Sequence, residues 1–360
     1  MKKFLFIIQF DSFAKTLLPV IKQLLNNSNH CDVVLLKQKF YKKPWISNEI
    51  LMLFENIKNQ LNIFGAYKKR SVMNLIKDHK YDVVIVGTTY TGLIEKIYTH
   101  LQRHSLDTKL ASGYVGALLT NNESGFIKGV YRRSFSNLIW VPGNESKETI
   151  LSLNIINKNK TKIVATGLPR FDDLFEKINK IKSTPKKNII FFEQPTFPKS
   201  KSERIFLVEC LIKLAQIYND KNIIIKPRFN KKIGHAHRPK YLLQDIIANI
   251  KNKPDNIKIA YNDIYELFET CELSLTISST AGLESLLVNI PTLFINDFCN
   301  DENTYGSNDF NKFDAVVSFD DLLNKNIPTI NYELVHNTLK FDGENTSQLT
   351  AELITLANHE

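Results

Sequence analysis

Cysteine is scarce in this chain and never clustered. Four cysteines among 360 residues, Cys31, Cys210, Cys271 and Cys299, lie far apart with no CxxC and no clustering of cysteines with histidines. This excludes a zinc framework or a disulfide scaffold and points to buried free thiols in a reducing compartment. Long apolar runs are missing too: no stretch reaches the roughly eighteen residues of a spanning helix. The opening MKKFLFIIQFD has an apolar core of only Phe4 to Ile8, broken at Gln9 and Asp11, with no small-residue cleavage site after it. It therefore reads as the first buried strand of a cytoplasmic protein rather than a secretory leader. Glycine, 13 residues in all, forms neither GxGxxG nor GxxxxGKS/T, which argues against dinucleotide binding and P-loop hydrolysis. HExxH and GxSxG are also absent. His235 with His237 is the nearest approach to a metal cluster, and two histidines without adjoining acids rarely make a site, so no metal is expected.

What is present is positive charge. Lysine and arginine number 47 against 37 aspartates and glutamates, a net charge of +10 with a pI near 9.2. Such an excess favours an anionic partner: a membrane surface, a nucleotide or nucleic acid. Nucleic acid is the poorest fit, because the basic residues are scattered rather than interleaved with aromatics on one element. With 43% apolar and 23% charged residues the chain is globular, and its length suits two domains.

The most informative stretch is LTISSTAGLESLLVNIPTLF, Leu275 to Phe294. An apolar run stops at Ser278-Ser279-Thr280, a helical pattern opens at Gly282 and Glu284, and a second apolar run follows from Pro291. Strand, hydroxyl-rich turn, helix and strand make the βαβ unit of a parallel sheet. Three hydroxyls beside the free N–H groups of a helix start can hold a phosphate, and Glu284, one turn on, can accept from sugar hydroxyls. An ordinary N-cap explains the same residues when they are taken alone.

Apolar runs at Phe4–Phe10, Cys31–Leu36, Tyr81–Gly87, within 109–119, Leu138–Val141 and Lys162–Gly167 make a first β/α half, with helical periodicity over Ile46–Leu75. Runs at Asn188–Phe192, Asn222–Arg228 and Ile257–Ala260 join the stretch above in a second. The expected organisation is an N-terminal acceptor-binding domain over 1–172, a linker over 173–187, a nucleotide-sugar domain over 188–345, and a C-terminal helix over 346–360 that packs back on the first. The fold class is α/β, two Rossmann-like domains with parallel sheets facing a central cleft. Ligands of such sheets sit beyond the C-terminal strand ends, where the distinctive residues cluster.

NIIIKPR runs into a loop that gathers Lys226, Arg228, His235, His237 and Arg238. Cations and a proton donor there would stabilise a departing phosphate; a basic surface loop is the plain alternative. Asp11 and Ser12 follow the first strand. A carboxylate at that place can take the proton of an acceptor hydroxyl, or simply cap the next helix. Glu193, in FFEQPTFP, is a second candidate base, or a solvated loop acid. Thr88, Thr89 and Tyr114, beside Gly87 and Gly113, are placed to line the acceptor side. Lys128, Arg132 and Arg133 form a basic patch that fits an anionic membrane, a plain solvated face being the simpler explanation.

These motifs resemble bacterial glycosyltransferases of the two-domain GT-B arrangement. More narrowly, the chain resembles a group related to the sialyltransferases of capsule and lipooligosaccharide synthesis. The resemblance rests on ATGLPRFDDL, FFEQPTFPKSKSER, KPR with the following GHAHRPKYLL, and SSTAGLES followed by PTLFINDF. It implies metal-independent, inverting transfer of a sialic-acid-type sugar from a CMP donor to a surface glycan or glycolipid, near the inner membrane. It also implies that a serine pair and a histidine hold the CMP phosphate. Ser278, Ser279 and Thr280 match the pair; Lys226 stands before Pro227 where the family has histidine, so that role passes to His237 or His235. Asp11 is preferred over Glu193 as base, and Arg228 and Glu284 are expected near the base and ribose. TGLPRFD also resembles CDP-glycerol polymerases and Kdo transferases. A UDP-sugar transferase, a UDP-sugar 2-epimerase and a non-catalytic nucleotide- or glycan-binding protein share the same frame.

Overall fold

The computed structural model describes residues 1–37, 46–66, 69–116, 123–194, 197–228, 240–298 and 307–358. The chain forms two compact units, Met1–Asp173 with Asn337–Glu360, and Leu174–His336.

The first unit is built on seven parallel strands: β1 (Lys3–Ile8), β2 (His30–Leu36), β3 (Asn62–Ala66), β4 (Val83–Gly87), β5 (Lys109–Gly113), β6 (Leu138–Val141) and β7 (Lys162–Ala165). Their order is 3-2-1-4-5-6-7. Helices over both faces explain why the strand sequences are continuous apolar runs rather than alternating ones. Phe4, Phe6, Ile8, Val33, Val83 and Ile85 enter one core, while Leu5, Ile7, Val34, Val84 and Val86 enter the other. The helix Asn345–Asn358 supplies Leu349, Leu353 and Ala357 to the core around the helix Asp11–Asn26. Asp172 accepts from the backbone N–H groups of Asn345 (3.2 Å) and Thr346 (2.7 Å), tying down that helix start.

The second unit holds β8 (Asn188–Phe192), β9 (Asn222–Lys226), β10 (Ile257–Ile259), β11 (Cys271–Thr276), β12 (Thr292–Ile295) and β13 (Val316–Val317), in the order 10-9-8-11-12-13. Counted within the unit, this is the doubly wound order 3-2-1-4-5-6, with the direction of winding reversing between β8 and β11. The helix Lys201–Ile217 starts with a capping box between Ser200 and Glu203 and buries Leu207, Leu211 and Leu214 on the sheet. The stretch 174–183 is helical, as Asp172–Glu176 and Ile178–Ser183, and falls within this unit.

One region departs from expectation. The region 46–75 is not one helical stretch: a helix Asn48–Glu55, the strand β3 and a helix Lys69–His79 share it. β3 is a short edge strand, exposed at Asn62 and Gly65, so it lacks the apolar run that betrays the buried strands. The thiols of Cys31, Cys210 and Cys271 are buried and unpaired; Cys299 lies outside the described residues.

Candidate functional site

In the second unit the candidate residues converge on the switch point. β8 lies between β9 and β11, with Phe192 paired to Lys226 on one side and Thr276 on the other. Three strand ends therefore emerge side by side, and the chain that follows carries Glu193, Arg228 and Ser278. Such a crevice beyond the carboxyl ends, where winding reverses, is the usual ligand position in open α/β sheets.

The turn after β11 is held by Thr276. Its hydroxyl donates to the Phe192 carbonyl at 2.8 Å and accepts from the Ser279 N–H at 3.1 Å. Ser279 is the N-cap of the helix Thr280–Leu287, its oxygen accepting from the Ala281 N–H at 3.3 Å. The capping explanation is thus correct for Ser279, and what remains for a ligand is its O–H. Ser278 differs: its hydroxyl oxygen is buried with no hydrogen-bond partner among the described residues. A buried hydroxyl in that state costs of order 1–3 kcal/mol. Thr280 is exposed at the helix start and Glu284 half-buried one turn on. Gly282 lets this helix close on the sheet; a Cβ there would meet the Phe294 ring and the Thr276 methyl at 2.8 Å.

Glu193 is a correction. It is neither a solvated loop acid nor a carboxylate open to an incoming hydroxyl. Its Oε1 accepts from Arg204 Nη1 at 2.7 Å with both side chains 2% exposed, and its Oε2 accepts from the Arg228 N–H at 3.3 Å. Burial pushes its carboxyl above the ordinary glutamate value, and the Arg204 guanidinium and the Arg228 N–H pull it back. Arg204 also donates to the carbonyls of Pro198 (2.9 Å) and Gln194 (3.4 Å). The pair fixes the chain that leaves β8 against the chain that leaves β9. Sequence reasoning missed Arg204, although the signal was there: it takes the inward place one turn ahead of Leu207 and Val208 and two turns ahead of Leu211, where an apolar residue belongs. Lys226 is half-buried and Arg228 exposed. His235, His237 and Arg238 lie outside the described residues.

In the first unit the switch point lies between β1 and β4, paired from Phe4–Val83 to Ile8–Gly87. Asp11 and Ser12 follow β1; Thr88 and Thr89 follow β4. Asp11 does not cap its own helix, whose N-cap is Phe10; its Oδ1 accepts from the Ser47 N–H at 2.7 Å and so holds the start of the next helix. It is half-buried. The Thr88 hydroxyl is buried, bonds the Gln9 side chain and accepts from the Tyr90 N–H at 2.9 Å, while Thr89 is exposed. Tyr114 is half-buried beneath the Arg133 guanidinium, 4.0 Å over its ring. Arg133 is therefore not part of a surface patch: it is buried, donating to the Gly113 and Gly129 carbonyls at 3.2 and 3.3 Å. Among the described residues no group of three or more metal-ligating side chains is arranged to hold an ion, and no helix is long and apolar enough to cross a membrane.

Two doubly wound parallel sheets, each carrying polar groups at its switch point, define a GT-B-type α/β protein. Solved structures agree. A UDP-GlcNAc 2-epimerase from Neisseria meningitidis, bound to UDP-GlcNAc, is similar with a TM-score of 0.65 at 15% identity, over 98% of this chain and 100% of that one. The UDP-GlcNAc 2-epimerase of Methanocaldococcus jannaschii, in complex with UDP-GlcNAc and UDP, gives 0.62 at 18% identity over 98% and 99%. Arabidopsis thaliana UGT89C1, complexed with UDP, gives 0.60 at 11% identity over 98% and 100%. No curated protein matches the chain. Over residues 4–355 it matches the model of the family described as "Putative glycosyltransferase (DUF6716)". The chain belongs to that family, which is of glycosyltransferase type.

Proposed function

We propose that the protein transfers a sugar from a pyrimidine-nucleotide donor to a glycan or glycolipid acceptor, with the donor phosphate seated at Ser278–Thr280. The carrying observation is the buried, unpartnered Ser278 hydroxyl beside the N-terminus of the helix Thr280–Leu287. A phosphate oxygen would accept from that hydroxyl and from the first N–H groups of the helix, and the helix dipole favours its charge. Lys226 and Arg228, on the adjoining strand end, add positive charge as the leaving phosphate takes up the bonding electrons of the broken C–O bond. His237, or His235, is assigned the proton donor to that phosphate. On the acceptor side, Asp11 takes the proton of the attacking hydroxyl as the new glycosidic bond forms with inversion. Thr88, Thr89, Ser12 and Tyr114 are assigned to acceptor binding.

Two donors fit this scheme. A UDP-sugar is favoured by similar folds solved with UDP or UDP-GlcNAc. A CMP-activated nonulosonic acid is favoured by the resemblance of SSTAGLES to the serine pair that holds the CMP phosphate. The test is thermal unfolding with CMP, CDP, UDP, GDP and ADP in parallel; a ligand at a hundred times its Kd adds about 2.7 kcal/mol. Selective stabilisation by UDP or CMP picks the donor, and Ser278→Ala should weaken that response about tenfold in affinity. Absence of any nucleotide response would refute the reading. Conversion of UDP-GlcNAc with no acceptor present would replace transfer by epimerisation.

A further inference from the structure

The helix Glu123–Arg133 has two faces. Phe126 and Val130 turn into the core with Ile139, Val141 and Ile150, and Arg133 is buried beside them in sequence. The opposite face should be polar in a surface helix. Instead it shows Ile127 at 42% and Tyr131 at 51% exposure, spaced one turn apart with Lys128 exposed between them. Tyr90, 42% exposed after β4, comes in from the neighbouring element. The site of a Cβ on Gly92 would see the Tyr90 ring at 3.5 Å and the Arg132 guanidinium at 3.7 Å, so both side chains lie over the start of the helix Gly92–Arg103. Arg132 also reaches the Thr91 hydroxyl at 3.5 Å. Its charge thus adds to the positive end of that helix rather than cancelling it. Behind the exposed residues, Tyr131 packs edge-on against Phe135 at 5.6 Å and Phe135 against Tyr98 at 5.2 Å, a rigid aromatic support.

We propose that this face, Tyr90, Ile127 and Tyr131 rimmed by Lys128 and Arg132, is where the protein docks on an anionic lipid surface. An aliphatic side chain and tyrosines at the headgroup level, with basic residues at the edge, are the composition of an interfacial helix. The net charge of +10 supplies the long-range attraction to anionic lipid. Tyr90 directly follows Thr88 and Thr89, so docking would bring the acceptor-side strand ends to the membrane, where a lipid-linked acceptor resides. This last step rests on the proposed transferase reading; the docking itself does not.

The test is co-sedimentation of the full chain with phosphatidylcholine vesicles and with the same vesicles carrying phosphatidylglycerol. Binding is expected only to the anionic vesicles, falling as salt shortens the Debye length. Lys128→Ser should lower partitioning roughly fivefold, and Ile127→Ser with Tyr131→Ser should abolish it while the protein still unfolds cooperatively, with a small loss of thermal stability from the Tyr131–Phe135 ring contact. Equal binding to both vesicle types, no binding to either, or full binding by the double variant would overturn the proposal. Nucleotide-induced stabilisation is read on the same samples. Its loss with vesicle binding intact would sink only the donor reading, and the reverse result only the docking face.

Discussion

Replacing Arg204 by methionine should cost the second unit far more than its lost contacts suggest. The substitution keeps much of the aliphatic volume but removes the charge that neutralises Glu193, which is itself 3% exposed. Leaving one member of a buried pair without its counterion typically costs about 3–5 kcal/mol. With a urea m-value of about 1–3 kcal/mol per molar, the midpoint should fall by roughly 2 M. The pH dependence gives a sharper check. Burial already raises the Glu193 carboxyl above the ordinary value of 4.5, and without Arg204 nothing but the Arg228 N–H opposes it. The folded variant then holds a proton more tightly than the unfolded chain, so its deficit is greatest above the folded pKa and shrinks as pH falls towards 4.5. Arg204→Met combined with Glu193→Leu should recover most of the loss, because an apolar pair of similar volume replaces a buried ion pair at little cost. Urea titrations followed by circular dichroism at pH 8 and pH 5 measure all of this. An Arg204→Met protein as stable as the wild type at pH 8, or a deficit that does not change with pH, would refute the argument.

Two further outcomes follow from packing and burial. Gly282→Val would press a branched side chain into Phe294 and Thr276; thermal unfolding should show a loss of about 1–3 kcal/mol, with a weaker nucleotide response because the helix start carrying Ser279 and Thr280 is pushed off the sheet. Burial pushes the thiols of Cys31 and Cys271 up to about 12 and that of Cys210 to about 11. At pH 8 their thiolate fractions are about one in a thousand or less, so mass spectrometry after brief iodoacetamide treatment should find all three unmodified until the protein is unfolded.

The strands buried on both faces were legible as sequence because each carries an apolar run: Val33–Leu36 within Cys31–Leu36, Leu138–Val141, and Ile189–Phe192 within Asn188–Phe192. Two Rossmann-like α/β domains followed from their alternation with helical segments, and the GT-B arrangement from the resemblance of the motifs. β3 was not legible, since an edge strand one face of which meets water carries no such run and its Gly65 reads as a break. Nor was β13, at two residues too short for any pattern. At the strand ends the hydroxyl triplet announced a helix start, and that start exists. Which hydroxyl is spent was hidden, because Ser278 and Ser279 are chemically identical in sequence and only the backbone turn decides that Ser279 caps and Ser278 does not. Glu193 could not be told from a surface acid without its partner, eleven residues away on a helix. Arg133 was grouped with Lys128 and Arg132 by proximity along the chain, yet a helix turns successive side chains to different sides, and this one points inward over Tyr114.

The return of the helix Asn345–Asn358 to the first unit has a consequence for how the protein is made. On the ribosome the seven strands of that unit emerge first, yet Leu349, Leu353 and Ala357 reach the core around the helix Asp11–Asn26 only after the whole second unit has been synthesised. At about 5–20 residues per second that interval is of order ten to thirty seconds. During it, the apolar flank of the helix Asp11–Asn26 that these residues cover stands open to water and to chaperones. The second unit, continuous from Leu174 to His336, waits for nothing downstream and can close as soon as it clears the exit tunnel.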